Sequence, residues 1–167
     1  ASIFQRLDKI ELKLLENDSK FEKLFSALES RQLTPSQGIF FDGQIFDAYK
    51  FASDLVRSAK KSIILIDNYI DDNTISILSK KEKVVKVTIL TKTITNQLKT
   101  DVKKANEQYG NFEIKIFKNS HDRFLLIDDT EIYHLGASLK DLGKKWFAFS
   151  KMNKSSVESI FNSLTEI

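Results

Sequence analysis

Ser62-Ile63-Ile64-Leu65-Ile66-Asp67 is the stretch on which the fold turns. Its aliphatic run is of strand length, and it is continuous rather than alternating, as in a strand covered on both faces. Such strands belong to sheets with helices packed on either side. The chain around the run supplies those helices. Upstream, residues 45–60 place Ile45, Phe46, Tyr49, Ala52, Leu55, Val56 and Ala59 on one helical face. Downstream, a short helix over 72–81 precedes a strand over 84–91. A polar, lysine-bearing helix over 94–108 follows, and Phe112-Glu113-Ile114-Lys115-Ile116-Phe117 alternates as a half-buried strand does.

Strands alternating with helices of these lengths predict an α/β domain with a mixed, largely parallel sheet flanked by helices. The later part reads differently. Two strands, 123–128 and 131–135, face each other across a turn at Asp129-Thr130, and two residues cannot make a crossover, so this end is antiparallel. Trp146-Phe147-Ala148-Phe149 reads as one more strand and 154–165 as a closing helix.

The N-terminal segment is of another kind. With Leu7, Leu14, Phe21 and Leu28 at heptad position a, position d falls on Ile3, Ile10, Asn17 and Leu24, so the seam is apolar everywhere but Asn17. Arg6 and Lys13 then fall on g, Glu11 and Asp18 on e, which pairs Arg6 with Glu11 and Lys13 with Asp18 across a parallel two-chain coil. The alternative is an amphipathic helix packed on its own domain, which the off-seam Leu12 and Leu15 favour. Thr34-Pro35-Ser36-Gln37-Gly38, with the chain's single proline, is the clearest linker. The expected organisation is an amphipathic or coiled-coil helix over 1–33, a linker and first short strand over 34–44, and the α/β domain over 45–167. Ile3-Phe4 enter a helix already under way, and more polypeptide is expected before it.

At 167 residues, 41% hydrophobic and 29% charged, the chain has the composition of a globular domain. A net charge of +3 does not by itself call for a nucleic-acid partner, but lysines crowd the part after residue 80. With no cysteine, thiolate catalysis, disulfides and cysteine metal sites are excluded, and a cytoplasmic setting fits. No apolar run has the length of a membrane span, so no membrane partner is expected.

His121-Asp122-Arg123-Phe124-Leu125-Leu126-Ile127-Asp128 is where chemistry is expected. In an extended segment residues two apart share a face, so His121 and Arg123 point the same way. Imidazole beside guanidinium suits a phosphate, since arginine offers a fork of donors matched to phosphate oxygens. Asp67, Asp71 and Asp72 form a rival group. They read either as ligands for a divalent metal or, with Asp71 or Asp72 at a helix start, as caps. Tyr69 is the aromatic expected beside a site, while Trp146 and Phe147 read as core or interface.

The order helix ending Ala59-Lys60-Lys61, strand 62–66, Asn68-Tyr69-Ile70-Asp71-Asp72, strands 84–90 and 114–117, then the histidine segment, resembles one half of the phospholipase D superfamily across roughly residues 45–150. That family's pattern is histidine, any residue, lysine, four residues, aspartate, six residues, glycine. Here His121, Arg123 and Asp128 fit it with arginine for lysine, and Gly136 is offset by one residue. Over its whole length, with 37–48 and 136–152 included, the chain is also similar to the C-terminal region of phage-derived bacterial proteins that begin with a KilA-N-like DNA-binding domain.

The resemblance implies a metal-independent, cofactor-free phosphodiesterase, in which one histidine forms a phosphohistidine and a second protonates the leaving oxygen. A chain with one motif would need a homodimer to supply both. It also implies His121 as nucleophile or general acid and Arg123 on the phosphate oxygens. Ser138, or the Gly136 and Ala137 backbone, would lie near the phosphate. Asp128 reads either as a support of the motif or as a turn carboxylate. Lys140 reads either as a replacement for the family's asparagine or as a surface lysine. That asparagine, and a downstream residue to orient the histidine, are not evident in 139–152. The expected function is accordingly a nuclease-type phosphodiesterase, or a catalytically degenerate module for dimerisation and nucleic-acid or phosphate binding.

Overall fold

The computed structural model describes residues 2–30 and 35–166. Thr34, with which the expected linker begins, lies outside them, as does the side chain of Leu28 in the heptad. The chain divides into two compact units, Ala1–Pro35 and Ser36–Ile167.

The first unit is one long helix, α1 (Ile3–Ser30). Seam residues Ile3, Leu7, Ile10, Leu14, Phe21 and Leu24 are all more than half exposed, and so are Leu12 and Leu15. A helix this apolar along one side is ordinarily covered, because each large side chain left in water forgoes about 1.5–3 kcal/mol of burial.

The second unit is a seven-stranded sheet in the order β1-β7-β6-β5-β2-β3-β4 with helices on both faces. Its elements are β1 (Gln37–Phe40), α2 (Ile45–Ser58), β2 (Ser62–Ile66), α3 (Asp72–Leu78), β3 (Lys86–Thr91), α4 (Asn96–Tyr109), β4 (Phe112–Ile116), β5 (Arg123–Ile127), β6 (Glu131–Leu135), β7 (Phe147–Lys151) and α5 (Lys154–Leu164). The run that decided the fold is central, and both its faces are covered. Ile63 and Leu65 pack into a core with Leu55, Val56, Leu78 and Leu98 of α2, α3 and α4. Ile64 and Ile66 pack on the other side with Val157, Ile160 and Phe161 of α5.

Only β2-β3 and β3-β4 pair in parallel, and the remaining four pairings are antiparallel. The sheet is therefore mixed as expected, but its parallel part is confined to three strands. The connection from β4 to β5, residues 117–122, explains the change. It holds no helix that could return the chain to the other end of the sheet, so β5 enters at the end where β4 leaves and runs backwards against β2. A tight turn then adds β6, a longer connection over 136–146 with a single 3-10 turn at Leu139–Asp141 adds β7, and β1 closes the edge on β7. Some boundaries move. The expected helix over 72–81 ends at Leu78, the strand expected from Val84 begins at Lys86, and Trp146 stands just before β7.

Candidate functional site

Antiparallel register sets Ile66 against Phe124, and one step further it brings Asp67, at the carboxyl end of β2, beside Arg123, the first residue of β5. The hairpin partner β6 runs back to the same end of the sheet, because Leu135 pairs with Arg123, and so delivers Gly136-Ala137-Ser138 there. The three elements meet in hydrogen bonds. Arg123 Nε donates to Ser138 Oγ at 2.8 Å, and Ser138 Oγ donates to Asp67 Oδ1 at 2.9 Å. The backbone N–H groups of Tyr69 and Leu139 also donate to Asp67, at 3.0 and 3.3 Å. Arg123 Nε lies 3.7 Å from the same carboxylate.

Asp67 is 1% exposed. Burial pushes its carboxyl above the ordinary range, and the donors from Tyr69, Ser138 and Leu139 together with the Arg123 charge pull the other way. The group acts as an anchor. It fixes Ser138, which holds Arg123 by its inner nitrogen, and among the described residues nothing takes up the terminal guanidinium nitrogens. The Arg123 guanidinium also lies over the Tyr69 ring, 5.6 Å from its centroid, with Lys92 Nζ 5.2 Å from the same centroid.

In front of this array is a cavity of about 660 Å³. Tyr69, Arg123, Gly136, Ala137, Ser138 and Lys140 line it, six of the residues expected at the site from the sequence. Asp141, Lys144, Lys145 and Trp146 complete the wall and were not foreseen there. Four cationic side chains, Arg123, Lys140, Lys144 and Lys145, face one carboxylate, Asp141, from which Lys144 is 3.3 Å and Lys140 4.0 Å away. Gly136 has a reason to be glycine. It lies so close to β7 that an added Cβ would meet the Ala148 carbonyl oxygen at 2.8 Å, and its own N–H donates to that oxygen.

Two expected residues stand elsewhere. His121 is exposed in the bend before β5 and does not line the cavity. The alternation that would bring it onto the face of Arg123 needs extended backbone, and the strand begins only at Arg123. Among the described residues no hydrogen bond orients its imidazole.

Asp128 lies at the opposite end of β5, roughly 16 Å away at the rise of an extended strand. There it accepts the backbone N–H groups of Lys60, Lys61 and Ser62, the closest at 2.6 Å. With Asp129 it occupies the left-handed region, φ 54° and 58°, which starts the β5-β6 turn one residue earlier than expected. Its carboxylate thus ties this turn to the start of β2.

Asp71 caps α3 through a reciprocal pair with Thr74, and no cluster of metal-ligating side chains is found among the described residues. His134 packs edge-on against Phe124 with centroids 5.6 Å apart and Nε2 3.5 Å from Asp122, on the α5 side of the sheet.

No family profile matches the sequence, and no curated protein does. Solved structures do. TrmBL2, an archaeal chromatin protein with a novel mode of DNA binding, matches over 98% of this chain and 65% of its own, with 16% identity and a TM-score of 0.54. NucT from Helicobacter pylori matches over 78% of this chain and 93% of its own, at 12% identity and a TM-score of 0.56. Polyphosphate kinase from Porphyromonas gingivalis matches over 75% of this chain, at 11% identity and a TM-score of 0.54, but the match takes in only 22% of its own length. NucT and polyphosphate kinase carry the phospholipase D-like fold, and at these identities the fold is what the likeness shows.

Proposed function

We propose that this protein is a phospholipase D-like module that binds nucleic acid through its phosphates and acts as a homodimer, with recognition rather than hydrolysis as its task. One observation carries the reading. Arg123 is held by its Nε through Ser138 to the buried Asp67, with the terminal nitrogens left to face a cavity of net positive charge. A guanidinium fixed at its inner nitrogen presents two donors to a phosphate with little further loss of rotamer freedom. The absence from the cavity of His121 favours binding over catalysis, because a nucleophilic imidazole needs a hydrogen-bonded partner to orient and activate it.

The homodimer reading is supported by the uncovered seam of α1 and its matched e and g charges. The nucleic-acid reading is supported by the likeness in fold to TrmBL2, a protein that binds DNA. The resemblance to phage-derived proteins with a KilA-N-like domain adds a DNA-binding segment on the same polypeptide to the proposal.

A second reading, a metal-independent phosphodiesterase, is favoured by the exposure of His121, which leaves it open to meet the histidine of a second copy. One pair of measurements separates the two. On the binding reading the protein retains DNA in a filter assay, Arg123→Ala weakens retention, and bis-p-nitrophenyl phosphate is not turned over with or without chelator. Turnover that His121→Ala abolishes would replace the first reading with the second.

A further inference from the structure

The chain's only tryptophan is on the wall of the cationic cavity, and it is the most exposed aromatic side chain of the α/β unit apart from Phe46. Trp146 is 69% exposed. Phe41, itself 47% exposed, meets it nearly at right angles, with centroids 4.8 Å apart. An edge-on contact holds the indole in place and covers at most one of its faces. Lys144 and Lys145 precede it directly in the chain and line the same cavity. Tyr69, the other aromatic on the wall, already has Lys92 and Arg123 against its ring.

A large apolar plane left in water beside lysines serves no packing purpose, since Phe147, the next residue, is the one that enters the core. A stacking surface within reach of phosphate-binding cations is the combination that single-stranded nucleic acids use. Resting on the reading of this cavity as a phosphate site, we propose that Trp146 is a base-stacking platform and that the cavity takes single-stranded nucleic acid, one base lying on the indole while Arg123 and the lysines hold the adjoining phosphates. A duplex keeps its bases stacked on one another and would have to be unstacked to offer a π-face.

The lone tryptophan makes the test direct. The full chain is titrated with a labelled dT oligonucleotide, with an abasic oligonucleotide of the same length, and with a duplex of equal length, following both anisotropy and indole fluorescence. The dT strand is expected to bind most tightly and to quench the tryptophan, whereas the abasic strand binds without quenching. Trp146→Ala is expected to weaken dT binding about five- to 150-fold, to weaken abasic binding far less, and to bring the two strands close together. Trp146→Phe should recover part of the loss. Equal binding of dT and abasic strands, or a duplex preferred to both, would overturn the stacking platform and leave the phosphate site standing. Failure of all three to bind, with Arg123→Ala indistinguishable from the wild type, would overturn the phosphate site as well.

Discussion

Ser138 gives its hydroxyl proton to the buried carboxylate of Asp67 at 2.9 Å and so turns its lone pairs toward the Nε of Arg123. One hydroxyl thus couples the β2 terminus to the strand that carries the arginine. Ser138→Ala is expected to leave Asp67 one donor short inside the protein and to release Arg123 into several rotamers. Stability should fall by about 1–3 kcal/mol, the cost of a buried polar group deprived of a partner. Urea denaturation reads this directly, and the same variant should bind DNA more weakly. Unchanged stability would mean that water replaces the hydroxyl and that the serine is not the link.

Arg123 itself makes a prediction about salt. Each phosphate contact releases counterions, so the slope of log affinity against log salt should shrink by about 0.7–0.9 in Arg123→Ala, depending on whether the nucleic acid is single- or double-stranded. Arg123→Lys keeps the charge but loses the Nε bond to Ser138, and should restore the slope more fully than the affinity. A slope identical in all three proteins would remove Arg123 from the interface.

Gly136→Ala tests whether the floor of the cavity depends on the close approach of β6 to β7. The new Cβ would meet the Ala148 carbonyl at 2.8 Å, and backbone cannot swing aside as a side chain does. A loss of about 1–3 kcal/mol is expected, the usual cost of overpacking, together with weaker DNA binding. A thermal midpoint equal to that of the wild type would show that the two strands separate at no cost.

Much of this architecture was legible because it follows from local chemistry. The continuous run at 62–66 requires cover on both sides, and it lies between α2–α4 and α5. Tyr69, Arg123, Gly136, Ala137, Ser138 and Lys140 line one cavity because β2 and β6 end, and β5 begins, at the same end of the sheet. What the sequence could not supply was the direction of the chain between β4 and β5, which decides sheet polarity and depends on where a helix-free connector can reach. His121 was expected on the face of Arg123 only for an extended backbone, and the bend in the connector before β5 does not provide one. Asp67 was visible as a carboxylate at a strand end, but its burial depends on contacts from residues 138 and 139, far away in sequence. Lys144, Lys145 and Trp146 carried a signal that was read differently, since an aromatic after two lysines suits a cationic wall as well as a strand start.

Asp128 makes a prediction in acid. Burial alone would raise its carboxyl, but the N–H groups of Lys61, Lys60 and Ser62 outweigh that, and it is held below the usual carboxylate range. A depressed folded value means that the unfolded chain binds the proton first. The stability this carboxylate contributes is therefore fully present above about 3.9, its unfolded value, and is lost as the pH falls through the lower folded value. Asp128→Asn, which tolerates the left-handed backbone at this turn, should be less stable than the wild type at neutral pH and should lose less on acidification. Denaturation midpoints between pH 2 and 7 check both parts, and parallel curves for the two proteins would show that the carboxylate's charge is not what fastens the turn.

The uncovered seam of α1 supports the last prediction. Ile10, Leu14 and Leu24 are exposed at 55%, 59% and 55%, and a helix carrying them is expected to find a second copy. Sedimentation equilibrium should give twice the chain mass for the wild type and the chain mass for a Leu14→Asp variant, because a carboxylate at a seam position cannot be both buried and solvated. If the e and g charges choose the partner, Arg6→Glu combined with Lys13→Glu should also weaken self-association, and a further exchange of Glu11 and Asp18 for lysine should recover it. Recovery by that charge swap would establish a parallel pair in the expected register, and a monomeric wild type would refute it.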